Sequence, residues 1–294
     1  MSKAQYGGQA VIEGVMMRGR DDIAIAVRRA ADDIVLKRMK ANSIGDRFPF
    51  LKWPFIRGVV ALFSSMTIGI KSLTYSASQV AEEEEEEIRP IEIVVSIAIA
   101  FGFAILLFVV LPATIITILQ PYIENNIILN LTEGIIKITA FLTYLFLISR
   151  LNDIKRVFMY HGAEHKVIHA YEKGLPLTID NARQFSTLHP RCGTNFMFIV
   201  ILMSIFFFSF FGRPPLMERI MYHLILLPVI AGTSYEIIKL AGRDVVNPLV
   251  RILATPGLYL QKLTTREPDD SMLEVAIAAL EAVLPDRKER EKSV

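Results

Sequence analysis

The sequence predicts a mainly α integral membrane protein with about four transmembrane helices, and two observations predict it. Hydrophobic residues make up 52% of the 294 residues, and the mean hydropathy is positive, whereas soluble domains balance apolar with charged residues more evenly. The apolar residues are concentrated in runs between positions 91 and 240, with charge in the flanks. We therefore divide the chain into an N-terminal part (1–90), a transmembrane domain (91–240) and a helical tail (241–294).

Composition also excludes several classes of protein. The formal net charge is only +2, and no basic stripe with interleaved aromatic residues appears, so we expect no nucleic-acid partner. A single cysteine, Cys192, excludes an intramolecular disulfide framework. The N-terminus lacks the basic, apolar and small-residue order of a signal peptide, so we expect the first membrane helix to act as the targeting signal.

The N-terminal part is predicted to begin with a small β unit. Residues 23–27 alternate large and small apolar side chains, 34–36 form a second apolar run, and turn-forming residues separate the two. Residues 9–13 lie between glycines and are expected to form a first strand. The density of glycines there indicates backbone that packs closely against another part of the protein.

The remainder of the N-terminal part is predicted to contain one interfacial helix and an acidic spacer. Residues 54–78 are mostly apolar but are interrupted by Arg57 and Lys71. We expect this helix to lie along the membrane surface or to dip in from one side, although the sequence leaves open whether it spans. The six glutamates at 82–87 are typical of a solvated spacer.

Four segments are predicted to span the bilayer: 93–119, 127–148, 196–211 and 221–240. The first carries no charge over more than the roughly 20 residues that a bilayer requires. In the second, Glu133 and Lys137 lie one helical turn apart and can form an ion pair. The fourth is interrupted by polar and helix-breaking residues, which indicates a role inside the protein. These residues are His223, Pro228, Gly232 and Glu236.

The distribution of Lys and Arg predicts the orientation. These residues are abundant before the first span and in the connection 149–194, and they are rare in 120–126 and 212–220. The positive-inside rule therefore places both termini and the connection 149–194 on the cytoplasmic side of the cell membrane, with the lipid bilayer as a partner. A break at Pro256-Gly257 and an amphipathic helix at about 271–284 are expected in the tail.

The most informative chemical signal is His161-Gly-Ala-Glu164-His165, in a helix predicted over 151–173. Residues three and four apart share a helix face, so two imidazoles and a carboxylate lie together. Such a pair offers two nitrogen ligands to a divalent metal, with zinc as the first expectation. Glu164 is then the candidate catalytic base, because it can deprotonate a bound water. The order His-x-x-Glu-His is that of the inverted zincins.

Further metal ligands are expected from His189, Cys192 and Glu236, because the predicted topology brings all three to the depth of the histidine pair. Cys192 is predicted near a helix N-terminus, which favours its thiolate. His223 is predicted at the opposite end of its helix and is excluded. Residues expected to support the ligands are His169, Glu172, Glu13 and Arg191.

Structural alternatives remain open at each of these positions. The histidine pair could cap helices or bind lipid headgroups, Cys192 could be a buried thiol that only packs, and Glu236 could pair with Lys239 or Arg243.

Four blocks of the sequence resemble the bacterial membrane proteins grouped as domain of unknown function 1385, the YqhQ-like family. They are residues 7–19, 161–166, 189–194 and 266–274, and the resemblance extends over nearly the whole chain. Proteins of this family are labelled predicted metal-dependent enzymes, so the resemblance implies a metal-dependent enzyme without naming a substrate.

Three functions are compatible with these features. The first is a metal-dependent hydrolase that acts at the cytoplasmic membrane surface on a peptide or a lipid-linked substrate. The second is a transporter or channel, which the polar residues of the fourth span favour. The third is a non-catalytic factor for the insertion or assembly of membrane proteins, which the amphipathic tail helix and the basic cytoplasmic surface favour.

Overall fold

The computed structural model describes residues 6–31, 33–41, 48–83, 89–212, 214–241 and 248–285. These residues confirm the predicted fold class, because they are mostly helical, include four helices long and apolar enough to cross a membrane, and contain a small N-terminal antiparallel sheet. Most of the predicted acidic spacer, positions 84–87, lies outside the described residues.

The N-terminal sheet has four antiparallel strands in the order β1-β2-β3-β4. They are β1 (Gly7–Val11), β2 (Gly14–Arg18), β3 (Asp22–Ala30) and β4 (Asp33–Lys40). The predicted β unit is therefore confirmed, but β2 was not predicted. Val15, Met16 and Met17 are all buried, because both faces of the sheet are covered, and β2 consequently lacks the alternation that marks a half-exposed strand.

Ten α-helices lie in the described part of the chain. They are α1 (Ile56–Glu83), α2 (Pro90–Ile105), α3 (Leu111–Leu119), α4 (Asn126–Ile148), α5 (Asn152–Glu172), α6 (Ile179–Arg183), α7 (Gly193–Phe208), α8 (Leu216–Ala241), α9 (Pro248–Thr264) and α10 (Asp270–Val283). A π-helical turn, Leu106–Val110, joins α2 to α3. Pro112 follows this turn and has no N–H to donate, so the helix widens locally instead of ending.

Three of the four segments predicted to span coincide with helices of spanning length, at 91–119, 126–148 and 216–240. The fourth helix of that length and composition is α1, at 56–82, where the sequence predicted an interfacial helix and left spanning open. The predicted span 196–211 corresponds to α7, which has 16 residues and is shorter than the roughly 20 that a bilayer requires.

Helices α4, α7 and α8 enclose buried charged residues. The predicted pair of Glu133 and Lys137 is confirmed, with 3.0 Å between Nζ and Oε1. Arg219 also pairs with Glu133, and Nε2 of His223 lies 2.7 Å from Oε1 of the same carboxylate. Gly134 packs against Ile205 of α7, which brings the two helices close together.

The sheet is the middle layer of three. Helices α5 and α10 cover one face, where Val167 and Leu273 join a cluster of buried apolar side chains. The second half of α1 covers the other face, where Ile68 and Tyr75 pack against Ile25 and its neighbours. This arrangement holds α5 between the sheet and the N-terminal end of α7.

Candidate metal centre

Helix α5 presents the two histidines of the predicted motif on one face, and α7 supplies a thiol opposite them. The predicted helix over 151–173 is observed as Asn152–Glu172. The rings of His161 and His165 have centroids 4.4 Å apart, and Nε2 of His161 lies 3.2 Å from Sγ of Cys192. One potential ligand atom from each of the three residues lies within 4.8 Å of the other two. The structure therefore brings three predicted ligands together.

Cys192 is the N-cap residue of α7, as the sequence predicted for its approximate position. Its sulfur accepts a hydrogen bond from the backbone N–H of Thr194, at 3.4 Å. Only 7% of the residue is exposed. The cap therefore fixes the sulfur at the start of α7, where it faces Nε2 of His161.

Hydrogen bonds orient both imidazoles toward a common point. Nδ1 of His161 lies 2.8 Å from the carbonyl oxygen of Thr264, and Nδ1 of His165 lies 2.5 Å from that of Thr187. A carbonyl can only accept, so both Nδ1 atoms donate. A neutral imidazole that donates from Nδ1 has no proton on Nε2, which can then act as a ligand, and this is the usual arrangement around metal-binding histidines.

Glu164 lies beside this group and is 4% exposed. One of its oxygens, Oε2, is 3.4 Å from Nε2 of His165. Burial raises the pKa of its carboxyl, although the nearby histidines and a hydrogen bond from the backbone N–H of Gly8 act in the opposite direction. A β-carbon at Gly8 would lie 2.7 Å from Cγ of Glu164, so only glycine lets β1 approach the motif this closely.

The group borders a cavity of about 650 Å³. One wall contains His161, Glu164, His165 and Cys192, and other walls come from β1 and from Ser65 and Ile68 of α1. A small molecule or a short segment of a polymer can therefore reach the side chains of the motif, since ligand pockets have volumes of about 300–1,000 Å³.

A second group with metal-ligand spacing consists of His169, Glu172 and His189. Nε2 of His169 donates to the carbonyl oxygen of Leu188 at 2.9 Å, and the guanidinium of Arg191 pairs with Glu172. Burial lowers the pKa of both His169 and His189. The positive guanidinium already compensates the carboxylate, which makes this group a weaker cation site than that of Cys192.

Two predicted site residues lie elsewhere. Glu236, predicted as a ligand, pairs with Arg57, whose Nε lies 2.7 Å from Oε1. The structure does not bring it to the histidines, because equal depth in a membrane does not fix which side of α8 a residue faces. Glu13 pairs with Arg156 and accepts from the hydroxyl of Tyr160 at 3.3 Å. His223, excluded by the sequence, lies with Glu133 in the helix bundle.

The groups that position the ligands were not predicted from the sequence. The carbonyls of Thr187 and Thr264 orient the imidazoles, and backbone carbonyls leave no mark in a sequence. Gln261 holds the backbone of His189 with two hydrogen bonds of 2.8 Å. A single glutamine in the sequence gives no indication of such a contact. The glycines at 7–8 were the one signal available, and they did indicate close packing.

Comparisons with known proteins show which proteins this chain is similar to. The model of a family described as "Protein of unknown function (DUF1385)" matches residues 53–286. "Uncharacterized protein YqhQ" of Bacillus subtilis (strain 168) is 34% identical over 292 residues, which cover 95% of this chain and 92% of that protein. No solved structure matches the chain significantly.

Proposed function

Because this chain belongs to the DUF1385 family, for which the family description gives no reaction, we propose a function from its own site: a metal-dependent hydrolase of the cell membrane. The observation that supports it is the convergence of His161, His165 and Cys192 beside the buried carboxylate of Glu164. The positive-inside distribution of Lys and Arg supports a site on the cytoplasmic side, with both termini there.

The donor set fits a divalent metal, and zinc above all. Two imidazole Nε2 atoms and one thiolate are ligands that zinc prefers, and three protein ligands with an open position are typical of catalytic zinc. The cavity next to the group supplies the space for that position. When bound, the metal would supply Lewis-acid activation of water and polarisation of a carbonyl or phosphoryl oxygen.

Glu164 is the proposed proton acceptor. Burial raises the pKa of its carboxyl, which brings the group closer to the range in which a general base works near neutral pH. Its Oε2 atom would take a proton from the attacking water and transfer it to the leaving group. The N–H of Gly8 would hold the carboxylate in place during both steps.

Metal analysis of the purified protein tests the proposal. We expect about one equivalent of zinc, iron or manganese per chain, and much less in the variants His165→Ala and Cys192→Ser. Glu236→Gln is the matched control, because this carboxylate pairs with Arg57 and should not affect the metal content. Native protein without stoichiometric metal, or with metal that survives both ligand substitutions, would exclude the proposed site.

A second candidate function is proton or ion transport. It is favoured by the charged group of Glu133, Lys137, Arg219 and His223, which is buried among helices of the bundle. Burying ionisable residues inside a membrane domain costs free energy, and such residues often mark a transport pathway. Flux into liposomes that is lost in Glu133→Gln would support this function, and no flux under a pH or ion gradient would exclude it.

A further inference from the structure

Strand β1 is one of the two outer strands of the sheet, and it borders the cavity of the candidate metal centre. In the described part of the chain it pairs only with β2. Gly7, Gly8, Gln9 and Ala10 line the cavity that also borders His161 and Cys192. An unpaired strand edge is a template for another extended chain.

The direction of the peptide groups along this edge follows from two hydrogen bonds. The N–H of Gly8 donates to Glu164, and the N–H of Ile12 donates to Oγ of Ser76 at 3.2 Å. Residues two apart in a strand point their peptide groups to the same side. Ala10 lies between these two residues, so its N–H and C=O also point away from β2.

Residues of two helices bind the ends of the edge, and Ala10 between them borders the cavity. Glu164 of α5 accepts a hydrogen bond from the N–H of Gly8, and Ser76 of α1 accepts one from the N–H of Ile12. Among the described residues, none forms a hydrogen bond with the outward N–H or C=O of Ala10. The same cavity is therefore bordered by Ala10, whose N–H and C=O are unpaired among the described residues, and by His161 and Cys192.

From this arrangement we propose that the substrate is an extended peptide segment with apolar side chains, which adds to β1 as a short extra strand. The inference rests on the proposed hydrolase function and names its substrate class. Main-chain hydrogen bonds to Ala10 would provide affinity, as in other cases of strand addition. Ile68, Val157 and Ile168 line the same cavity and would contact the apolar side chains.

Such a peptide would present a carbonyl to the metal ligands and to Glu164. The oxygen of water bonds to the carbonyl carbon, the C–N bond breaks, and the proton taken by Glu164 passes to the leaving amine. The products are one carboxylic acid and one amine, so no further reactant is needed.

The affinities of three hydroxamates, which bind zinc through the same head group, distinguish a peptide substrate from a lipid substrate. Affinities are measured by calorimetry on the zinc-loaded full chain in detergent, with acetohydroxamate, acetyl-Leu-Val-Leu-hydroxamate and octanohydroxamate. We expect the peptide to bind at least tenfold more tightly than acetohydroxamate. We also expect N-methylation to weaken binding at one position of the peptide only, that of the residue whose N–H donates to the carbonyl of Ala10.

Variants of Ala10 test the edge itself. Ala10→Pro removes the outward N–H without removing a bond to β2, a position at which an edge strand tolerates proline. It should reduce the advantage of the peptide over acetohydroxamate about fivefold, the value of one hydrogen bond. Ala10→Ser retains the N–H and should retain that advantage.

The outcomes distinguish the two proposals. If acetohydroxamate fails to bind in a zinc-dependent way, the proposed hydrolase function falls, and the inference falls with it. If acetohydroxamate binds but the peptide hydroxamate binds no more tightly, the inference alone is overturned. It is also overturned if octanohydroxamate gains as much as the peptide and N-methylation has no effect, which would indicate a lipid substrate.

Discussion

Nε2 of His161 lies 3.2 Å from Sγ of Cys192, although the two residues are 31 positions apart in the chain. The contact joins the middle of α5 to the N-terminus of α7. Nδ1 of His161 donates to the carbonyl of Thr264, so in the neutral imidazole it is Nε2 that lacks a proton and faces the sulfur. In the absence of metal the thiol can donate to this nitrogen, and a metal that displaces the thiol proton would bind between the two atoms.

Zinc should therefore protect Cys192 from alkylation. Cys192 is the only cysteine of the chain, so one added N-ethylmaleimide mass reports on this site alone. We expect one equivalent of zinc to slow the reaction at least tenfold, because a metal-bound sulfur is no longer a free nucleophile. Mass spectrometry over time provides the measurement. The variant His165→Ala should lose the protection, and equal rates with and without zinc would contradict the assignment of Cys192 as a ligand.

Replacement of Glu164 should stabilise the metal-free protein at neutral pH. Burial raises the pKa of this carboxyl in the folded state, so the folded state favours the protonated form. Stability from this group is complete below the ordinary glutamate pKa, about 4.3, and is lost as the pH rises through the raised pKa. Glutamine resembles the protonated form at every pH.

Thermal unfolding in detergent with a chelator present measures this effect. We expect the melting temperature of Glu164→Gln to exceed that of the native protein at pH 7 to 8, and the difference to vanish in acid. Glu281→Gln, which changes an exposed glutamate of α10, is the control and should show no such trend. A native protein more stable than Glu164→Gln at pH 8 would contradict the role of burial.

The sequence was sufficient to predict the elements that supply the site. The His-x-x-Glu-His spacing predicted that His161 and His165 share a helix face, and a run of apolar residues after Cys192 predicted the start of α7. Both predictions depend on local periodicity, which a single sequence records well. The three-dimensional partners of Glu236 and Glu13 depend on how helices rotate and pack, and no local pattern records that. Arg57 and Arg156 pair with them from distant parts of the chain.

The membrane domain provides a test of buried electrostatics. Glu133 is 2% exposed and is surrounded by Lys137, Arg219 and His223. Glu133→Gln would leave the cations of Lys137 and Arg219 without a counter-charge, and breaking a buried pair in this way costs about 3–5 kcal/mol. We expect a large fall in the melting temperature in detergent. Glu274→Gln breaks the pair with Arg28, in which the glutamate side chain is 57% exposed, and should cost no more than about 1 kcal/mol. Similar losses in both variants would contradict the buried network.

Two glycines near the site should respond to alanine in opposite ways. A β-carbon at Gly162, inside the His-x-x-Glu-His motif, would lie 2.1 Å from the carbonyl oxygen of Arg266, whereas one at Gly193 would meet no atom within 4 Å. Gly162→Ala should therefore push α5 away from the segment that leads to α10 and cost about 1–3 kcal/mol by overpacking. Because Thr264, which accepts from His161, lies just before that segment, zinc affinity should fall as well.

Gly193→Ala should be neutral or stabilise the first turn of α7 by about 0.5–1 kcal/mol, since alanine favours helix more than glycine. Melting temperatures and zinc titrations of both variants provide the comparison, and a Gly162→Ala protein with native stability and native affinity would show that the close contact at Arg266 does not position His161.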